Sequence, residues 1–98
     1  MIDRMAMTLI NELSEQFPAV LTHAGAEIDL VIDRGHERIG FEFKCSTSAT
    51  RRDWMTLEQS LAAGMIDRGY VLYLGERNFR AVERVEVMNA GSFLESHK

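Results

Sequence analysis

Two alternating segments joined by a short polar link constrain this chain more than any other feature. Ala26-Glu27-Ile28-Asp29-Leu30-Val31-Ile32-Asp33 and Arg38-Ile39-Gly40-Phe41-Glu42-Phe43-Lys44-Cys45 each alternate polar and apolar residues with period two, the pattern of half-buried strands. The link, Arg34-Gly35-His36-Glu37, places a glycine where a type II′ hairpin turn needs positive φ. That turn sets the register. Ile32 then faces Ile39, Leu30 faces Phe41 and Ile28 faces Phe43, an apolar face into which Cys45 also points. On the other face Asp33 meets Arg38, Val31 meets Gly40, and Glu27 meets Lys44.

One pair conflicts with this pattern. Asp29 falls opposite Glu42, and like charges directly across a ladder repel. A solvated face would screen the repulsion. Alternatively, a divalent cation sits between the two carboxylates, with Lys44 two residues along the same face. Hard oxygen ligands suit Mg²⁺, which takes one or two carboxylates and keeps several waters. An ammonium beside it can position a water or stabilise charge on a phosphate. The absent side chain at Gly40 leaves space on that face for a ligand or another backbone.

Asp29 followed by Glu42-Phe43-Lys44 resembles the PD-(D/E)XK nuclease motif, with Ile28 where that motif prefers Pro. The likeness extends to Thr22-His23-Ala24-Gly25-Ala26-Glu27-Ile28-Asp29-Leu30-Val31 and to Gly69-Tyr70-Val71-Leu72-Tyr73-Leu74-Gly75-Glu76. Together these runs resemble the nuclease-like C-terminal domain of unknown function found on many prokaryotic AAA-type ATPases. The resemblance implies a restriction-endonuclease-like α/β fold and Mg²⁺ or Mn²⁺ as cofactor. It implies metal ligation by Asp29 and Glu42, helped by the Phe43 carbonyl, and a catalytic Lys44. It also implies accessory roles for Glu12 as an extra acidic ligand and for Gln59 as a phosphate contact, while Glu27 is an accessory candidate because it faces Lys44 in the hairpin register. Nucleic acid and an AAA-type ATPase are the partners it suggests. The chain carries no G-x-x-x-x-G-K-[ST] loop, so it is not itself a P-loop ATPase.

At 98 residues the chain is expected to form a single domain over residues 1–98. A net charge of −4 argues against binding nucleic acid by bulk electrostatics, so such binding needs a local basic patch. Arg34, Arg38, Lys44, Arg51 and Arg52 are the candidates, unless they are scattered solubilising charges. Cys45 is the only cysteine, which rules out an intrachain disulfide and suits a cytoplasmic protein. No apolar run reaches the length of a membrane span, and no signal-peptide pattern opens the chain. The histidines His23, His36 and His97 show no zinc-ligand spacing.

The remaining elements follow from periodicity. Residues 2–16 carry Ile2, Met5, Leu9, Ile10 and Leu13 on one helical stripe, extended by Phe17 and stopped at Pro18. Residues 19–23 suggest a short strand. Thr50 to Asp53 resembles a capping box with Asp in place of the usual Glu or Gln. A helix then runs to about Ala63, packing Trp54, Leu57, Leu61 and Ala62, with Gly64 as its cap. Residues 70–74 form a buried parallel strand, residues 82–88 an edge strand, and residues 89–98 a helical turn around Phe93 and Leu94. The expected core is α-β-β-β-α-β, a mixed sheet flanked by helices. Tyr70, Phe79, Phe93 and Leu94 are candidate exposed apolar surface for a homodimer.

Two functions follow from this reading. One is a divalent-metal-dependent phosphodiesterase acting on nucleic acid. The other is a catalytically inactive nuclease-like module that regulates or docks onto an ATPase or a second copy of itself.

Overall fold

The computed structural model describes residues 4–16, 20–22 and 28–96. The elements in order are α1 (Arg4–Gln16), β1 (Val20–Thr22), β2 (Leu30–Asp33), β3 (Arg38–Lys44), α2 (Arg51–Ala62), β4 (Arg68–Tyr73), β5 (Phe79–Val82), β6 (Val85–Asn89) and α3 (Ala90–Ser96). This is the expected α-β-β-β-α-β core, extended by a second hairpin and a last helix. One six-stranded sheet has the order β1-β2-β3-β4-β6-β5. Its first three strands are antiparallel neighbours, while β3, β4 and β6 run parallel.

The hairpin register is the one the alternation requires. Leu30 pairs with Phe41, Val31 with Gly40, Ile32 with Ile39 and Asp33 with Arg38. Gly35 has φ +86°, and its N–H donates to Asp33 Oδ1 at 2.9 Å. The ladder is shorter than expected, however. Ile28 and Asp29 precede β2 in a bend, so the period-two alternation breaks there. Ile28 consequently packs with Val31 and Leu57 on the opposite face from Phe43, and the expected Ile28–Phe43 pair does not form. The proposed Glu27–Lys44 pair lies outside the described residues.

Each face of the sheet carries its own core. On one, Leu9 and Leu13 of α1 and Phe93 of α3 close over Leu30, Ile32, Ile39, Phe41, Tyr70 and Leu72. On the other, Leu57 of α2 closes over Val31, Val71, Val85 and Val87. Both faces of β4 are thus covered, as its apolar run implied. Tyr70 and Phe93 belong to the first core, so neither is the exposed apolar surface expected of them.

Helix α2 is bounded by its own sequence. The Thr50 N–H donates to Asp53 Oδ2 at 2.7 Å, so Asp serves as the capping-box acid. At the other end Gly64 N–H donates to the Leu61 carbonyl at 3.1 Å and Met65 N–H to that of Ser60 at 2.9 Å. With Gly64 at φ +73° this is a Schellman motif. Ala62, expected to pack, is exposed.

Four further expectations are corrected. Gly40 leaves no room for a ligand: a Cβ there would lie 3.0 Å from Ile66 Cδ1 and 3.1 Å from Leu57 Cδ2. Cys45 follows the last ladder residue of β3 and is exposed rather than turned into the core. The expected single edge strand over residues 82–88 is two strands joined at Glu83 and Arg84, and β6 is interior, between β4 and β5. Arg84 makes that turn with φ +65°, a conformation uncommon for a non-glycine residue. Leu74, expected within β4, lies just past it and is exposed.

Candidate functional site

Asp29 and Glu42 are brought together at the end of the hairpin away from its turn. The Phe43 N–H donates to Asp29 Oδ2 at 2.8 Å, which ties the Asp29 carboxylate to β3 next to Glu42. The Asp29 backbone in turn hydrogen-bonds the Glu42 carboxyl. Glu42 Oε1 is buried and, among the described residues, has no hydrogen-bond partner. Burial first, and then the Asp29 carboxylate, push the Glu42 carboxyl from 4.5 up to about 8; the charge of Asp53 adds to this, and the Asp29 backbone bond opposes it. A carboxyl in that state favours either a proton or a nearby cation.

Lys44 is on the same strand, two residues beyond Glu42. Its Nζ donates to Asp53 Oδ1 at 2.7 Å. Burial alone would raise the Asp53 carboxyl, but hydrogen bonds from Lys44 and from the Thr50 backbone outweigh it and hold the group below its ordinary value. Sequence reasoning missed Asp53 as part of this cluster, because residues 45–50 must fold back before α2 can present it. The one local signal was the Asp at a capping position that usually holds Glu or Gln.

Other expected contributors lie elsewhere. Glu12 is exposed on α1, a helix that packs on the opposite face of the sheet from α2. Gln59 is exposed in the middle of α2. Among the described residues no group of three or more His, Cys, Asp and Glu is arranged to hold a metal. The described candidate is therefore a two-carboxylate site, a number that Mg²⁺ uses when waters and substrate phosphates complete its shell. The unpartnered Glu42 oxygen beside a second carboxylate fits such a cation.

The five basic residues do not form one patch. Arg38 opens β3 and Lys44 closes it, about 20 Å apart at the rise of a strand. Arg38 Nε lies 3.5 Å from Asp33, Arg34 is 4.0 Å from Glu37, and Arg51 is 4.0 Å from Glu58. A cleft of about 440 Å³ lies near the start of β4, lined by Glu37, Arg68, Tyr70, Arg80, Arg84 and Glu86 among others. Neither Asp29 nor Glu42 lines it.

The sequence profile of one protein family matches residues 10–93. The chain belongs to that family, Domain of unknown function (DUF4143). Searches of curated proteins and of solved structures returned no match. The span matched to DUF4143 includes Asp29, Glu42, Lys44 and Asp53, so all four lie within the family's domain. Among the described residues, no helix of this DUF4143 domain is long and apolar enough to cross a membrane.

Proposed function

We propose that this domain is a divalent-metal-dependent phosphodiesterase of the nuclease-like type, acting on nucleic acid. The observation that carries the reading is the buried Glu42 oxygen, without a hydrogen-bond partner among the described residues, beside the Asp29 carboxylate. Asp29 and Glu42 would hold Mg²⁺ or Mn²⁺. Such an ion, when bound, activates water and neutralises charge on phosphoryl oxygens. The Phe43 N–H fixes the Asp29 carboxylate so that it does not swing away from Glu42. Lys44 supplies a positive charge for the phosphate or a hydrogen bond that orients the attacking water. Nucleic acid as substrate rests on the resemblance of Asp29 and Glu42-Phe43-Lys44 to the nuclease motif.

The test is cleavage of single-stranded, duplex and branched nucleic acid with Mn²⁺, comparing the wild type with Lys44→Met. Metal-dependent cleavage lost in that variant is the expected result. Absence of cleavage of every substrate by the wild type contradicts it.

A second reading is favoured by the ion pairing of the basic side chains. Lys44 is closed against Asp53, and Arg34, Arg38 and Arg51 each lie near a carboxylate. Such a surface suits a nuclease-like module that docks onto an AAA-type ATPase or a second copy without cutting. Metal binding without cleavage would select it.

A further inference from the structure

Asp53 divides its two oxygens between two tasks. Oδ2 accepts the Thr50 N–H at 2.7 Å and caps α2, while Oδ1 accepts Lys44 Nζ at 2.7 Å. The side chain of Asp53 is 14% exposed and that of Lys44 34%, so the pair is set into the surface rather than waving in solvent. Its support is rigid on both sides. Lys44 is the last residue of β3, which pairs with β4 as far as Tyr73. Asp53 is in the first turn of α2, the helix whose Leu57 is wholly buried against the sheet. The intervening loop is tied down as well, with Leu74 N–H donating to the Ser46 carbonyl at 2.9 Å.

A free lysine side chain loses rotamer freedom when it is fixed. Here that loss is already met before any substrate arrives. The geometry points to Asp53 as the positioning residue for Lys44, holding the ammonium over the strand that also carries Glu42 so that it meets the scissile phosphate or its attacking water in place. This inference rests on the phosphodiesterase reading, because it gives Lys44 a task in the reaction.

Asp53→Asn separates the two tasks. The single amide oxygen is needed by the Thr50 N–H, which leaves the NH₂ facing Lys44, a donor against a donor. The helix cap survives and the lysine is released. Two readouts follow. In ¹⁵N spectra of lysine ammonium groups, with Lys44→Met identifying the signal, the wild type should show a slowly exchanging Lys44 resonance that Asp53→Asn loses, while α2 amide signals stay in place. In Mn²⁺-dependent cleavage, Asp53→Asn should lower kcat by about 10²-fold, the scale of a misplaced group, with KM little changed.

An unchanged ammonium signal or an unchanged kcat would each overturn the inference. A wild type that cleaves nothing sinks the phosphodiesterase reading. A signal still lost in Asp53→Asn would then identify the pair as a structural ion pair, and the positioning role would fall with the reaction.

Discussion

Gly40 and Gly69 face each other across the parallel β3–β4 ladder, and Leu57 of α2 lies over both. A Cβ on Gly40 would come within 3.1 Å of Leu57 Cδ2, and one on Gly69 within 3.2 Å of Cδ1. The two glycines form a notch that sets how closely α2 sits on the sheet. The height of α2 in turn decides where Asp53 meets Lys44. Packing of an apolar leucine thus positions a charged pair at the candidate site.

Gly40→Ala should overpack this notch and destabilise the fold by about 1–3 kcal/mol. Leu57→Ala should cost about 2–5 kcal/mol, since it empties a fully buried position. Gly35→Ala is a useful contrast: among the described residues nothing lies within 4 Å of its would-be Cβ, and its φ of +86° opposes the substitution. Its cost should be about 1–2 kcal/mol, the penalty for a left-handed L-residue. Urea unfolding of the three variants checks the order. A neutral Gly40→Ala would mean that α2 is not seated in the notch.

The pH dependence of stability should carry the mark of Glu42. Its carboxyl is raised from 4.5 to about 8 by burial and by Asp29, so the folded protein keeps a proton that the unfolded chain gives up. The stability this contributes is complete below the unfolded value and is lost as pH rises through about 8. Glu42→Gln cannot titrate. Without metal it should match the wild type near acid pH and exceed it at alkaline pH. Melting curves of the two proteins across that range test this. Parallel pH profiles would show that Glu42 is not held in the protonated form.

Removing the cap and the ion pair together should cost more than removing the pair alone. Asp53→Ala loses both bonds and should destabilise by about 1–2 kcal/mol, the range of a lost helix cap. Lys44→Met leaves the cap intact and gives up only a part-exposed pair, worth about 0–1 kcal/mol. Thermal melts that rank Lys44→Met as the more damaging would contradict the division of tasks at Asp53.

The hairpin was legible in the sequence because three independent signals agree there: alternation, the polar link and the glycine that takes positive φ. Helix α2 was legible at both ends for the same reason, through Thr50, Asp53 and Gly64. The alternation misled at Ile28, where a bend at Asp29 carries the side chain to the other face. It also misled at residues 82–88, because Arg84 adopts φ +65° with no glycine or proline to announce the turn. The covering of Gly40 and the Lys44–Asp53 pair depend on where α2 docks, which is tertiary information. The register predicts Asp29 opposite Glu42, but Asp29 lies in the bend before β2, beyond the last ladder pair, and it is the Phe43 N–H donating to its carboxylate that brings it beside Glu42.

The most direct test of the site is the melting temperature of wild type and Glu42→Gln, each with and without Mg²⁺ or Mn²⁺. If Asp29 and Glu42 hold the ion, metal at a hundredfold excess over Kd should stabilise the wild type by about 2.7 kcal/mol. Glu42→Gln should be at least as stable as the wild type without metal and should gain nothing when metal is added. A wild type indifferent to both ions, or a Glu42→Gln variant stabilised equally, would contradict the cation site.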